Sequence, residues 1–283
     1  MKISIVLPAK NESASVGATV ARIRTLLPMA EVLVVNDGSS DDTAALAQKA
    51  GAKVISHVYS MGNGAAIKTG ARAASGDVIV FMDADGQHDP SDISRLLEKI
   101  EQGNDMVVGA RQKGSQASIG RSVANGLYNR LATWMVGHRV EDLTSGFRAV
   151  RANRFLEFLY LLPNGFSYPT TSTMAFFRAG YSVDYLPIHA SKRIGKSHIH
   201  MLRDGARFLM IIFKIGTLFS PLKIFAPVAF MMFILASAWY GWTWWHQGRF
   251  TNMSALLFTG SVMVFLMGLI SEQITALMYR DRG

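Results

Sequence analysis

The stretch VIVFMDADGQHDP, residues 78–90, runs from apolar residues straight into Asp83, Asp85 and Asp89. Carboxylates two residues apart repel each other, so a positive charge is expected between them. Oxygen donors of this kind suit a hard divalent ion, Mg2+ or Mn2+, with Asp83 and Asp85 as ligands and Gln87 adding a carbonyl oxygen. An ion with so few protein ligands completes its shell with water and phosphate oxygens. A diphosphate, such as that of a sugar nucleotide, is therefore expected beside Asp85. Asp and Gly also favour plain turns. The motif's company speaks for chemistry: PAKNE, with Asn11 and Glu12, and VVNDGSSDDT, with Asp37, end two other apolar runs in the same way.

Those runs belong to an alternating pattern. ISIVLPA, EVLVVND, residues 53–57, DVIVFMDAD and DMVVGAR read as strands. Helical patterns fall at residues 13–27, after GSSDDT, and at 64–74 and 91–102. Continuous apolar strands separated by helices predict an α/β domain with a mostly parallel sheet covered on both faces. Ligands of such sheets gather at the carboxyl ends of the strands, where Glu12, Asp37, Asp83 and Asp85 fall. Beyond residue 111 the pattern loosens. It predicts a helix over 119–136, a strand or loop through EDLTSGFRAVR, a short helix around Phe155, a helix over 171–179 and a strand at SVDYLPIHA. GNGAAIKTG, residues 62–70, has only the first two glycines of a dinucleotide-binding loop and follows the third strand, not the first. A nicotinamide cofactor is rejected, while the loop is expected to approach the nucleotide.

The net charge is +9, spread as −3 over residues 1–110, +11 over 111–223 and +1 over 224–283. A basic band before an apolar segment suits anionic headgroups or a phosphorylated lipid. No nucleic-acid partner is expected, because no recognition motif or basic–aromatic run accompanies the charge. MLRDGARFLMIIFKIGTLFSP sets Arg203, Asp204, Arg207 and Lys214 among large apolar residues, the pattern of a helix lying in a membrane interface. Residues 224–245 and 251–271 are uncharged runs of 22 and 21 residues, joined by HQGRFTN. Each is long enough to cross the hydrocarbon, which needs about 20 residues. The first run ends in WYGWTWW, an aromatic cluster of the membrane–water boundary. Two spans return the chain to its starting side, where the basic residues lie, with Arg249 alone opposite. The positive-inside rule then predicts a multi-pass protein of the inner membrane with its large domain cytoplasmic. Glu272 and Gln273 are expected as interfacial polar residues. The expected organisation is a domain over 1–200, an amphipathic segment over 201–222 and a two-helix hairpin over 223–283. The chain has no cysteine, which excludes disulfides, thiolate chemistry and cysteine zinc sites. MKISIVLPAKNE is not expected to be a signal peptide, because its apolar run is too short.

VLPAKNE, VVNDGSSDDT, GNGAAIKTG, MDADGQHDP, VVGAR, DLTSGFRAV and RIGKSH follow one another over residues 3–200. Together they resemble the polyprenyl-phosphate glycosyltransferases of glycosyltransferase family 2, such as dolichol-phosphate mannosyltransferases and undecaprenyl-phosphate glucosyltransferases. The resemblance implies a GT-A fold and inverting transfer of one sugar from a GDP- or UDP-sugar to an undecaprenyl or dolichyl phosphate. By matching motif, Pro8, Glu12 and Asp37 would contact base and ribose, with Lys10 in the same donor site where many members carry an aromatic residue. Asp83, Ala84 and Asp85 would contact the nucleotide sugar, and Asp85, Gln87 and Asp83 the Mg2+ or Mn2+. Arg111 would contact phosphate. Arg121, Arg193, Lys196 and Ser197 would serve the acceptor phosphate, with His198 standing where a Lys is common.

Asp85, Arg111 and Asp142 form the expected catalytic set. A lipid monophosphate is already an anion near neutral pH, its second pKa being about 6. Such an acceptor needs cations to seat it, not a strong base. A hydroxyl acceptor would need a carboxylate base, for which Asp142 is the candidate. With a lipid phosphate, Asp142 is expected to orient an arginine or the acceptor loop. Two rivals share the motifs: a processive polysaccharide synthase, against which the lack of an Arg-Trp pair speaks, and a non-catalytic membrane subunit. A homo-oligomer is compatible with all three.

Overall fold

The computed structural model describes residues 1–112, 119–165, 168–189, 213–214 and 216–280. The chain divides into two compact units, Met1–His198 and Ile199–Gly283.

The first unit runs β1 (Ile3–Ala9), α1 (Val16–Leu26), β2 (Glu31–Asn36), α2 (Thr43–Lys49), β3 (Lys53–Ser56), α3 (Asn63–Ala73) and β4 (Val78–Phe81). It continues with α4 (Asp92–Glu101), β5 (Met106–Arg111), α5 (Ile119–Val136), β6 (Arg148–Arg151), α6 (Ala152–Leu156), α7 (Tyr168–Arg178) and β7 (Val183–Ile188). The strands form one sheet in the order β3-β2-β1-β4-β6-β5-β7. β6 is antiparallel to both neighbours, and the other pairs are parallel.

Alternation along β1 sorts the two faces. Ile5 and Leu7 join Val20 and Ile23 of α1 and Leu96 and Ile100 of α4 in one buried cluster. Val6 turns to the other face, against α3, where a side chain on Gly70 would meet Val6 Cγ1 at 2.2 Å. A helix seated that closely tolerates no Cβ at the contact.

Two helix starts differ from the sequence expectation. α1 begins at Val16, not residue 13, because residues 12–15 form a turn closed by the Ser15 and Val16 amides on the Glu12 carbonyl at 3.1 and 2.9 Å. α7 begins at Tyr168, before residue 171, with Pro169 in its first turn, where a missing N–H costs nothing.

β6 bears most directly on function. The carboxyl ends of β4 and β5 share one edge of the sheet. An antiparallel strand between them starts at that edge, and Arg148 pairs with Phe81 in register. The loop before β6, residues 142–147, is thereby delivered beside the residues that follow β4.

The second unit contains α8 (Pro221–Gln247) and α9 (Asn252–Arg280), two helices long and apolar enough to cross a membrane. α8 opens with Pro221 at its first position and closes on Gly248 in the left-handed conformation (φ 64°). Most large apolar side chains face outward, among them Phe230, Leu256 and Trp245. A helix apolar all round, with few residues covered by protein, suits lipid as its solvent. The helices hold each other through small and polar residues: Ser261 donates to the Ala229 carbonyl at 2.8 Å, and Gly268 admits Phe225. Glu272 accepts the Leu222 amide at 3.2 Å, filling one of the free donors at the start of α8. Its observed contact is thus a helix cap. The amphipathic pattern over 201–222 lies largely outside the described residues.

Candidate active site

The carboxyl ends of β1, β2 and β4 surround a cavity of about 520 Å³. Pro8, Lys10, Glu12, Asp37, Asp83, Ala84, Asp85 and Gln87 all line it. Eight residues singled out in three separate motifs therefore share one wall system. Gly62, Asn63 and Ala66 line it as well, so the start of α3 reaches the cavity.

The loop after β2 is braced by hydrogen bonds rather than by apolar packing. Asn11, with φ of 55°, accepts the Ser40 amide at 2.9 Å, and its own amide donates to Ser39 Oγ at 3.0 Å. The Glu12 amide donates to Thr43 Oγ1 at 2.9 Å. Asp41 accepts from the Thr43 hydroxyl and from the Thr43 and Ser13 amides. Burial pushes the Asp41 carboxyl up, but these donors outweigh it and bring it down to about 2.

Asp37 is the hub of the β2 side. His57 Nδ1 lies 2.8 Å from Oδ1, and the Met61 amide donates to the same oxygen at 2.7 Å. Ser60 Oγ and the Gly62 amide donate to Oδ2 at 2.8 and 2.9 Å. Burial opposes the charge, yet these four donors hold the carboxyl below its ordinary value. Lys10 Nζ donates to Ser60 Oγ at 2.9 Å.

On the β4 side, Asp85 is buried and its Oδ1 accepts the Gln87 amide at 3.1 Å. Ser15 Oγ donates to the Ala84 carbonyl at 2.7 Å, fixing the turn between the two carboxylates. Asp83 faces the loop before β6: a side chain on Gly146 would meet Asp83 Oδ2 at 2.9 Å. Tyr168 donates to the Gly146 carbonyl at 3.0 Å and secures that approach. The oxygen donors Asp83, Asp85 and Gln87 fit a hard divalent ion. Among the described residues no group of three or more His, Cys, Asp or Glu gathers for a metal. An ion here would thus depend on substrate and water for the rest of its shell.

Arg111 and Asp142 are brought together, but neither belongs to the cavity wall. Arg111 Nε donates to Asp142 Oδ2 at 2.8 Å and Nη2 to Oδ1 at 2.9 Å, a bidentate pair. Arg111 also donates to Thr144 Oγ1 at 2.6 Å. Burial pushes the Asp142 carboxyl up, and the Arg111 hydrogen bonds and charge overcome it, so the group lies below the usual carboxylate range. A carboxylate held this way is a poor proton acceptor at neutral pH and a good clamp for an arginine. Arg193, Lys196 and Ser197, with His198, lie outside the described residues. Arg121 lies on α5, and its side chain lies outside them as well.

Four residues of this neighbourhood escaped sequence reasoning. His57 and Ser60 stand in a segment, SHVYSM, with no chemical motif. Gly146 and Arg148 were quoted in DLTSGFRAV without a role. Arg148 is wholly buried and donates to the Pro169 carbonyl at 2.9 Å, Ser172 Oγ at 2.8 Å, Thr173 Oγ1 at 3.0 Å and the Ser145 carbonyl. It fastens the 142–147 loop to the first two turns of α7. The only local signal was an Arg directly after Gly-Phe at the start of an apolar run.

Residues 4–159 match Glycosyl transferase family 2. The chain belongs to that family. Residues 220–277 match a second family, the GtrB C-terminal hairpin. The chain is 28% identical to the undecaprenyl-phosphate 4-deoxy-4-formamido-L-arabinose transferase of Klebsiella pneumoniae, over 96% of this chain and 88% of that one. It is 25% identical to glycosyltransferase AglJ of Haloferax volcanii, over 97% of this chain and 94% of that one. Among solved structures it is similar to glucosyl-3-phosphoglycerate synthase from Mycobacterium tuberculosis in complex with Mn2+, UDP-glucose and phosphoglyceric acid. That likeness has a TM-score of 0.62 at 24% identity and covers 76% of this chain and 78% of the other. As a likeness it concerns the fold, and it agrees with the GT-A architecture the motifs led one to expect. As a family 2 member, the chain is a glycosyltransferase.

Proposed function

We propose that this glycosyltransferase moves one sugar, with inversion, from a nucleotide sugar to a polyprenyl phosphate at the cytoplasmic face of the inner membrane. The observation that carries the reading is the union, in one chain, of an acidic cavity at the ends of β1, β2 and β4 with a two-helix apolar hairpin. The full-length similarity to a Klebsiella pneumoniae protein named for an undecaprenyl-phosphate acceptor supports it.

On this reading the donor diphosphate lies at Asp83, Asp85 and Gln87, with Pro8, Lys10, Glu12, Asp37 and Ala84 around the rest of the nucleotide sugar. A bound Mg2+ or Mn2+ supplies charge to the leaving diphosphate. The acceptor phosphate is already an anion and attacks the anomeric carbon without a base, so Asp142 serves to hold Arg111 toward phosphate. Its lowered pKa supports that role over a base. Arg121, Arg193, Lys196 and Ser197 complete the acceptor's cationic cradle.

The purified chain in detergent, given a panel of nucleotide sugars, a short polyprenyl phosphate and Mn2+ or Mg2+, is expected to form a single-sugar lipid phosphate and to stop in EDTA. Release of a polymer, or transfer only to hydroxyl acceptors, would overturn the reading.

A further inference from the structure

Arg148 buries a charge that its bonds do not explain. The side chain is wholly buried, and none of the ion pairs among the described residues includes it. Its donors go to neutral groups: the Pro169 and Ser145 carbonyls, Ser172 Oγ and Thr173 Oγ1. Nε is buried with no partner among the described residues. The Tyr168 ring, 5.7 Å from the guanidinium carbon, offers a quadrupole and no charge. An arginine keeps its proton inside a protein, and a buried ion without a counter-ion is strongly unfavourable. Fastening a loop to a helix needs hydrogen bonds but no charge.

The place of that charge gives it a use. Arg148 pairs across the sheet with Phe81, two residues before Asp83. The Ser145 carbonyl that it holds precedes Gly146, which stands against Asp83. One residue thus separates its bonding partner from the residue at Asp83, which sets the guanidinium roughly 10 Å from that carboxylate. Burial pulls the Arg148 pKa below its ordinary value, and Asp142 and Asp83 are the carboxylates that oppose this. A wholly buried guanidinium touches no ligand, so it acts on the site only through its field.

We infer that Arg148 is the standing counter-charge of the acidic edge, holding the affinity for a free divalent ion low and favouring an ion that arrives on a diphosphate. The inference rests on the metal and nucleotide-sugar reading above. Asp83 and Asp85 repel each other, and a fixed positive charge behind them offsets part of that repulsion. The same charge opposes a free divalent cation and attracts a nucleoside diphosphate. Mn2+ already seated on a diphosphate carries no net positive charge and meets no such opposition.

Mn2+ binding to the full chain in detergent, followed by the loss of the free-ion resonance signal, tests this with Mn2+ alone and with UDP or GDP added. Wild type is expected to bind Mn2+ more tightly with a nucleotide than without. Arg148→Gln removes the charge and is expected to bind Mn2+ alone at least about threefold more tightly. Thr173→Asp leaves the arginine in place and sets a carboxylate beside it, 3.0 Å from Nη1 in the present threonine geometry. It cancels the charge without removing the loop's fastening and is expected to tighten Mn2+ alone by a similar factor. Tyr168→Phe loosens the same loop at the Gly146 carbonyl without touching the charge, and is expected to bring no tightening. Damage to the loop weakens ion binding, whereas loss of the charge strengthens it, so the two causes differ in sign. Unchanged or weaker Mn2+ binding in Thr173→Asp, or equal tightening in Tyr168→Phe, overturns the inference and leaves glycosyl transfer standing. A wild-type protein that binds neither Mn2+ nor a nucleotide overturns the reading on which it rests.

Discussion

At the scale of single residues, the proposed function asks most of Asp85. If Asp85 holds the metal as proposed, Asp85→Asn deletes a ligand charge at nearly constant volume, and transfer is expected to fall at least about a hundredfold. Thermal unfolding should stay close to wild type, because the bond that Asp85 accepts from the Gln87 backbone amide survives on the amide oxygen. Full transfer by this variant in a metal titration would remove the metal from the mechanism. Asp142 makes a different prediction, about acid. Its folded pKa is depressed, chiefly by Arg111 working against burial. The pair's stabilisation is therefore fully present above the unfolded carboxylate value, about 3.9, and fades as pH falls through the lower folded value. Wild type should lose more stability than Asp142→Asn as pH drops below about 4. Unfolding midpoints of the two proteins across that window check this, and parallel curves would mean the pair adds nothing.

Two glycines in helices make the comparison at the scale of elements. The first turn of α3 is pressed against residues 163–165: the Gly64 and Ala65 amides donate to the Gly165 and Asn164 carbonyls at 3.2 and 2.9 Å. Those bonds occupy donors that a helix start otherwise offers to an anion, which agrees with the proposal that a diphosphate is held on the β4 side. A Cβ on Gly64 would lie 2.0 Å from the Pro163 carbonyl oxygen. Gly64→Ala is therefore expected to destabilise by about 1–3 kcal/mol. Gly126 on α5 has open space around a Cβ, and Gly126→Ala is expected to stabilise by about 0.5–1 kcal/mol. Denaturant unfolding of the two variants gives opposite signs if helix seating sets the outcome. Equal effects would mean that local helix propensity dominates at both sites.

At the scale of the whole molecule the expectation concerns sidedness. Two charge-free runs with Arg249 alone between them predict that residues 246–252 lie across the membrane from the catalytic unit. The chain has no cysteine of its own, so single substitutions report cleanly. Met29→Cys, at an almost fully exposed position, marks the catalytic unit, and Asn252→Cys marks the turn. An impermeant thiol reagent should label the first only in inverted vesicles and the second only in right-side-out ones. Labelling of both in the same vesicles would place them on one side and overturn the hairpin's crossing, and the swapped pattern would reverse the topology.

The parallel strands, the helices between them and the two apolar runs were legible from local periodicity, because each records how a short segment is buried. The acidic strand ends were legible too, since a carboxylate directly after a buried run has few purely structural uses. Helix starts at Val16 and Tyr168 were displaced, because a turn and a proline compete with periodicity over a few residues. The antiparallel seat of β6 was not legible: Arg-Ala-Val-Arg fits an edge, a centre or a loop equally well, and only pairing with Phe81 and Val108 on two neighbours selects one. Nor was the bond from His57 to Asp37, 20 residues apart in sequence, or the approach of Gly146 to Asp83. Such contacts leave no local signature. They arise when the sheet order brings three loops to one edge, and a hydrogen bond between distant residues exists only after that edge has formed. The residue types thus determined that an acidic, metal-suited site would stand at the strand ends. Tertiary structure decided which loops meet at that edge and that the Asp37 carboxylate is spent on bracing them.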